Sequence, residues 1–162
     1  MPLLEITVSL PNRPGTLAGV ARTLARERIN LAAISVDSTR TKGRVRLIVS
    51  DPQRARRLLE EAGYVVESRE MIAVRMEDRA GSFLRVLEVL ATENVSINSV
   101  AILIAREGNQ ILVALSASDL RKARKALAES GFLPSSVDRI LSNSDLVASA
   151  PAIPSESVGL ML

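Results

Sequence analysis

The feature of this sequence that most constrains its fold is an internal repeat. When the chain is shifted by 66 residues, segment 5–38 aligns with segment 71–104. Identical pairs then fall at Ile6/Ile72, Val8/Val74, Arg13/Arg79, Gly15/Gly81, Val20/Val86, Leu24/Leu90, Ala25/Ala91 and Glu27/Glu93. A shift of 68 residues aligns a second set, Asp51/Asp119, Ala55/Ala123, Leu59/Leu127 and Gly63/Gly131. These matches indicate two copies of one folded unit.

The first half predicts a strand, a helix, two strands, a second helix and a last strand. Residues 5–10 alternate between apolar and polar side chains, as in a half-buried strand. Apolar residues from Leu17 to Ala25 then recur at the spacing of an amphipathic helix. The remaining elements are strands over 31–36 and 45–49, a helix between its cap Asp51 and Gly63, and a strand over 64–70. The order β-α-β-β-α-β is that of the split βαβ, or ferredoxin-like, unit.

The second half predicts the same unit again. Its elements are strands over 72–76, 97–105, 110–116 and 137–141, and helices over 83–91 and 119–131. We therefore predict an α+β fold of two tandem ferredoxin-like units, each an antiparallel four-stranded sheet with helices on one face. The expected divisions are module 1 over 1–70, module 2 over 71–141 and a loosely held Ser/Ala/Pro-rich tail over 142–162. Because no linker separates the halves, the modules are expected to pack against each other.

The chain contains no cysteine and no histidine. Disulfides, thiolate nucleophiles, imidazole bases and zinc sites of the usual type are therefore excluded. A metal or acid–base site made only of carboxylates would need acids that converge, whereas the Asp and Glu residues here are scattered over predicted helix faces and turns. The sequence predicts a protein that is not an enzyme and uses no metal or cofactor.

Hydropathy and charge narrow the range of partners. No apolar run has the length of a membrane span and the N-terminus lacks the basic region of a signal peptide, so a cytoplasmic protein with no membrane partner is expected. The net charge of +3 rests on arginines, many of which fall on predicted helix faces, and this is typical of a solvated surface. Nucleic-acid binding favours stacking aromatics among basic residues. The only aromatics are Tyr64, Phe83 and Phe132, and Phe83 is at a predicted core position, so no nucleic-acid partner is expected.

The turn between the first strand and the first helix is the strongest candidate for a ligand site. Its residues are Leu10, Pro11, Asn12, Arg13, Pro14, Gly15, Thr16 and Leu17. A helix start presents unpaired backbone N–H groups and a positive dipole end, which suit a carboxylate. Gly15 permits close approach of backbone to a ligand, and the Asn12 amide can donate to a carboxylate or accept from an ammonium.

Asn30, followed by Leu31, opens the second strand, and we expect it next to the first helix on the same edge of the unit. Together with the turn, it predicts a site for the zwitterionic head of an amino acid. A structural role remains the alternative. A Pro-Gly turn commonly precedes a helix for its backbone geometry alone, and Asn30 serves equally well as a polar helix-to-strand junction.

The residues of this turn, the first helix stripe and Arg28-Ile-Asn-Leu31 resemble the signature of ACT domains, small regulatory modules that bind amino acids. The likeness extends over residues 3–141 and is close to the ACT domain of serine-regulated phosphoglycerate dehydrogenases. It implies that Asn12 and Asn30 contact an effector across a module interface. That dehydrogenase module has a histidine two positions before the first asparagine, where this chain has Leu10, so serine is not carried over as the ligand.

The second unit departs further from this pattern. Its turn is Asp78, Arg79, Ala80 and Gly81, without the proline, and Ser96 replaces the strand-opening asparagine, with Asn98 two residues on. The Asp78 carboxylate would attract an ammonium and repel a carboxylate. The second site is therefore predicted either to be degenerate or to take a different head group.

These features predict a homodimeric amino-acid sensor that signals to a separate protein. Pairing through edge strands, which the resemblance implies, would cover the exposed edge of a four-stranded unit. One alternative is a regulatory subunit of an amino-acid biosynthetic enzyme such as acetolactate synthase, although the second half repeats the ACT pattern and does not resemble that subunit's C-terminal part. The other alternative is a nucleic-acid-binding ferredoxin-like protein, which the scarcity of aromatics disfavours.

Overall fold

The computed structural model describes residues 2–107, 109–133 and 141. The first half of the chain forms β1 (Leu3–Pro11), α1 (Thr16–Arg26), β2 (Leu31–Ser38), β3 (Lys42–Val49) and α2 (Pro52–Glu61). The second half forms β4 (Val65–Glu77), α3 (Ser82–Thr92), β5 (Ile97–Glu107), β6 (Gln110–Ala117) and α4 (Leu120–Glu129). The predicted order of elements is confirmed as far as α4.

The strands of the described residues form one six-stranded antiparallel sheet in the order β2-β3-β1-β4-β6-β5. Residues 65–71 of β4 pair with β1, and residues 72–77 of the same strand pair with β6. The two tandem units of the predicted α+β fold are confirmed, and they share strand β4. Between Val65 and Glu77 no glycine or proline interrupts the extended chain, so the last strand of module 1 continues directly as the first strand of module 2.

Each unit has its own core between its helices and one face of the sheet. In module 1, alternate residues of β1 (Ile6, Val8 and Leu10) are buried against α1 and α2. Module 2 repeats this packing with Ile72, Val74 and Met76. The alternation of side chains along a strand accounts for both cores, because every second residue points toward the helices.

A third core joins the two units through the sheet faces that point away from the helices. It contains Leu3, Met71, Leu103 and Leu112 together with several small residues: Ala32, Ala33, Ala73 and Ala114. Alanines let the two halves of the sheet approach closely, since a small side chain fills little of the space between them. The expected packing of one module against the other is confirmed.

Of the predicted strand over 137–141 only Leu141 is described, and there the prediction of a strand is wrong. Residues 137–140 lie outside the described part of the chain, as does the predicted tail over 142–162, whereas Leu141 is helical and buried in the third core. Before that gap, the Phe132 carbonyl accepts a hydrogen bond from the Arg75 backbone N–H at 2.6 Å. The predicted division between residues 70 and 71 falls inside β4 and stays a prediction.

Two residues that open the predicted helix stripes are less buried than expected. Leu17 in α1 and Phe83 in α3 are each 38% exposed, so the predicted core position of Phe83 is wrong. Both lie in the first turn of their helix, while Val20 and Val86 one turn later are buried. Within the described residues, none of the helices is long and apolar enough to span a bilayer.

Candidate ligand-binding site

The turn from β1 into α1 is built around a left-handed glycine. Gly15 has φ 87° and occupies the N-cap position, a conformation that L side chains rarely adopt. The Thr16 hydroxyl donates to the carbonyls of Arg13 at 2.6 Å and Pro11 at 3.0 Å, which closes the turn. No side chain caps α1, and its first turn holds no acidic residue. The start of α1 therefore keeps its positive character for an anion.

Asn12 fastens this turn to the hairpin between β2 and β3. Its backbone N–H donates to the Thr41 carbonyl at 3.0 Å, and its side-chain Nδ2 donates to the Thr39 carbonyl at 2.8 Å. Within the described part of the chain, its Oδ1 has no hydrogen-bond partner. The side chain thus holds the hairpin with its donor and keeps an acceptor for a ligand ammonium or N–H group.

Asn30 does not lie near this turn. Its backbone exchanges hydrogen bonds with Ser50, through N–H to Oγ at 3.0 Å and through the carbonyl to the Ser50 N–H at 2.9 Å. Asn12 bonds to Thr41 just before β3 and Asn30 bonds to Ser50 just after it. The length of β3 therefore separates the two asparagines by about 25 Å, at roughly 3.3 Å per residue.

The expectation that Asn30 shares an edge with the start of α1 is therefore wrong for a single module. Strands β1 and β2 both pair antiparallel to β3, so they run parallel to each other. Helix α1 returns the chain to the opposite end of the sheet before β2 begins. Leu31, beside Asn30, is partly buried against the first core at that far end. Only a contact with another module or another copy of the chain brings both asparagines to one ligand.

A cleft of about 840 Å³ opens where β1 ends beside the β2–β3 hairpin. It is lined by Ser9, Leu10, Pro11, Asp37, Ser38, Thr39, Thr41, Lys42, Gly43 and Arg44. Leu10 and Pro11 are residues that the sequence predicted for the site, and Thr39 and Thr41 are the hydrogen-bond partners of Asn12. The other predicted residues of the turn, 12–17, do not line the cleft, and Asn12 adjoins it through its hydrogen bonds to Thr39 and Thr41.

The hairpin side of this cleft was not predicted from the sequence. It carries charges of both signs, with Lys42 and Arg44 as cations and Asp37 as the anion. The Asp37 carboxylate accepts a hydrogen bond from Arg46 at 2.6 Å. The antiparallel hairpin of β2 and β3 could have indicated this cleft, because the end of β1 pairs with the hairpin residues Lys42 and Gly43.

Module 2 repeats the backbone of this turn with other side chains. Gly81 has φ 85° at the N-cap of α3, and the Asp78 N–H donates to the Asn109 carbonyl at 2.9 Å. Arg79 forms an ion pair with Glu77 at 2.5 Å, and the exposed Ala80 takes the place of the proline. The proposed alternatives for this second turn, a degenerate site or another head group, stay predictions.

The other predicted residues of module 2 lie at the far end of its sheet. The Ser96 N–H donates to the Ser118 hydroxyl at 3.1 Å, in the same way that Asn30 bonds to Ser50. Asn98 is exposed at a register shift between β5 and β6. Neither residue approaches the Asp78 turn. Among the residues that the structure describes, no group of three or more Asp or Glu side chains is arranged to hold a metal ion.

Comparison with known proteins places these features in a family context. A family model described as an ACT domain pair matches residues 1–137. No curated protein sequence matches the chain. Among solved structures, protein BT0572 from Bacteroides thetaiotaomicron is similar with a TM-score of 0.79 and 26% identity, covering 87% of this chain and 96% of that chain.

Two further similar structures are regulatory subunits of aspartate kinase. The subunit from Thermus thermophilus, in ligand-free form, has a TM-score of 0.58 and 20% identity, covering 79% of this chain and 91% of that one. The subunit from Thermus flavus has a TM-score of 0.53 and 19% identity, covering 81% and 94%. At these identities the likeness is one of fold.

Proposed function

Because the chain belongs to the family of ACT domain pairs, we propose that it is a non-catalytic regulatory protein that binds a small amino acid and signals to a separate protein. The observation that carries this proposal is the cleft between the end of β1 and the β2–β3 hairpin, which combines cationic, anionic and hydroxyl groups next to the carbonyls that Asn12 binds. The fold shared with regulatory subunits of aspartate kinase supports a regulatory role and a biosynthetic enzyme as the class of partner.

The groups around the cleft match the two charges of an amino-acid head. Lys42 and Arg44 offer donors to a carboxylate and Asp37 offers an acceptor to an ammonium, while Asn12 adjoins the cleft through Thr39 and has a further acceptor in its Oδ1. Pro11 provides apolar surface for a side chain. The cleft is larger than a small amino acid needs and is open to solvent, so binding to one copy alone would leave much of the ligand hydrated.

A second copy of the chain would close the cleft and supply Asn30. Strand β2 forms ladder hydrogen bonds only with β3 among the described residues. Strand β5 of the same chain packs beside it, but Ile34 and Val36 of β2 are still 47% and 49% exposed. An unpaired edge strand with exposed apolar side chains favours pairing with another strand. If two β2 strands pair antiparallel about a two-fold axis, the start of one strand lies beside the end of the other. Asn30 of the second copy then approaches Thr39 and Asn12 of the first.

An amino acid bound where the two copies meet, between Asn12 of one copy and Asn30 of the other, would contact both copies and favour one relative arrangement of them. Its regulatory effect is limited to the difference between its affinities for the two arrangements. A ligand that binds one arrangement 100-fold more tightly shifts the equilibrium by about 2.7 kcal/mol. That shift is large enough to change how a partner enzyme is engaged.

Calorimetric titration of the chain with each of the twenty common amino acids tests the proposal. We expect binding of one or a few of them, and at least tenfold weaker binding by Asn12→Ala and by Asn30→Ala. Gln53→Ala is the matched control, because it removes an exposed carboxamide from α2, away from the cleft. Absence of binding by every amino acid, or equal losses in all three variants, would contradict the proposal.

A further inference from the structure

Module 2 contains a second cavity, of about 200 Å³, between the first turn of α3 and the end of α4. The residues that line it are Arg75, Met76, Glu77, Arg79, Ser82, Arg85, Gln110, Ser130, Gly131 and Phe132. Three of them are arginines and one is an acid. The cavity is distinct from the cleft of module 1, and neither its contacts nor its ligand depend on the proposed amino-acid site.

The positive charge of this cavity is only partly neutralised. Arg79 is paired with Glu77 at 2.5 Å. Within the described part of the chain, Arg75 and Arg85 have no carboxylate at ion-pair distance. The Arg85 guanidinium lies over the Phe132 ring at 5.9 Å from its centroid, and the aromatic face holds the charge in place without neutralising it. An excess of two positive charges therefore surrounds a small cavity.

Ser82 adds a buried donor to these cations. It is 8% exposed, and its hydroxyl has no hydrogen-bond partner among the described residues. It is the first residue of α3, whose N-cap is Gly81, and this helix start has neither a side-chain cap nor an acid in its first turn. Ser82 lines the cavity and its hydroxyl has no partner within the described chain, so it can donate a hydrogen bond to a ligand there. The helix dipole favours an anion at the same place.

Module 1 shows that the fold does not require this arrangement. At the positions that correspond to Arg85 and Phe132, it has Gly19 and Tyr64, and a Cβ built on Gly19 would lie only 2.8 Å from the Tyr64 hydroxyl. Thr16, which corresponds to Ser82, uses its hydroxyl to bind backbone carbonyls of its own turn. In module 1 the space between the first turn of α1 and the end of α2 is therefore filled, and the Thr16 hydroxyl is hydrogen-bonded. In module 2 the corresponding space is an open cavity lined by arginines, and the Ser82 hydroxyl has no partner within the described chain.

From these contacts we infer that the arginine pocket of module 2 binds a small dianion that carries a phosphate or carboxylate groups. Guanidinium groups bind both oxyanions through paired N–H donors, and Ser82 supplies a further donor from the base of the pocket. The cavity is large enough for inorganic phosphate or a four-carbon dicarboxylate. The two modules then take ligands of different chemistry, a zwitterion at the first and a dianion at the second.

The test is calorimetric titration of the full chain with inorganic phosphate and, in a separate arm, with succinate, at constant ionic strength in chloride. We expect one of these anions to bind, with affinity lowered at least tenfold by Arg85→Gln and several-fold by Ser82→Ala. Arg22→Gln is the matched control, because it removes the same charge from an exposed position on α1. The arm that binds more tightly identifies the ligand as a phosphate or a dicarboxylate.

Two results would overturn the inference: no binding of either anion by the unaltered chain, or an equal loss in Arg22→Gln and Arg85→Gln. The second result would mean that the anion responds to overall charge. Anion binding that persists in Asn12→Ala, whatever happens to amino-acid binding, separates this pocket from the site of module 1.

Discussion

Replacing Glu5 by methionine should make the protein more stable. Glu5 lies on β1 with its side chain on the face that packs against module 2, and it is 3% exposed. Its Oε1 is buried without a hydrogen-bond partner in the described part of the chain. The side chain borders a cavity of about 30 Å³, which is also lined by Arg46, Ser35 and Ser99. Arg46 donates instead to Ser35 and Asp37.

The expected gain follows from the cost of a buried, unpartnered oxygen. Such an acceptor costs about 1–3 kcal/mol, and more when the group is charged. Methionine has a similar length and no such requirement, and Arg46 keeps its own partners after the change. We therefore expect the free energy of unfolding at pH 7 to rise by about 1–3 kcal/mol, with a melting temperature higher by about 2–4 °C for each kcal/mol.

Urea denaturation followed by circular dichroism measures this change, with Glu67→Met as the control on an exposed site of β4. The control should stay within about 0.5 kcal/mol of the unaltered chain. A decrease in the free energy of unfolding of more than about 1 kcal/mol in Glu5→Met would show that the carboxylate makes a favourable interaction, which contradicts this prediction.

Further predictions concern the turn, the helix packing and the edge strand. Gly15→Ala should destabilise the chain by about 1–2 kcal/mol in the same urea assay, because its φ of 87° is left-handed, and an unchanged midpoint would contradict this. In a Tyr64→Phe background, the effect of Gly19→Ala on the free energy of unfolding should be about 1–2 kcal/mol more favourable than in the unaltered chain, because the hydroxyl 2.8 Å from the new Cβ is then absent. If the effects of the two substitutions are strictly additive in a double-mutant cycle, the contact is refuted. Ile34→Lys should shift the chain toward monomer in analytical ultracentrifugation. Because Ile34 is 47% exposed on β2, the free energy of unfolding should change by less than about 0.5 kcal/mol. A dimer that persists would exclude this edge as the interface.

Local patterns in the sequence predicted most of the fold. Alternation over residues 5–10 and the helical spacing after Leu17 report side-chain burial directly, so β1 and α1 appear as expected. Asp51 and Asp119 accept hydrogen bonds from the backbone N–H groups of Arg54 and Lys122, as their cap positions predicted.

The continuous strand β4 was not predicted, because the duplication itself favoured a division there. The chain at residues 64–76 contains the end of one copy and the start of the next. Both parts read as strand, and only the pairing partners show that one strand serves two neighbours. Such partners are set by tertiary packing and leave no local pattern.

The placement of Asn30 was wrong for a reason that the predicted topology already contained. A β-α-β connection makes its two strands parallel, so the start of β2 must lie at the opposite end of the sheet from the start of α1. The cleft, in contrast, depends on how the β2–β3 hairpin stands relative to the end of β1, which follows from strand register and not from composition.

The central claim is that one ligand is held by Asn12 of one copy and Asn30 of another, and a mixed dimer tests it most directly. Asn12→Ala and Asn30→Ala chains with different affinity tags are co-expressed, purified as the heterodimer and titrated with the amino acid that the unaltered chain binds. In a two-fold dimer, one of the two seams then keeps both asparagines and the other loses both. The account predicts that the heterodimer regains wild-type affinity at about one ligand per dimer, while each homodimeric variant remains impaired. A heterodimer as weak as either homodimer would contradict it.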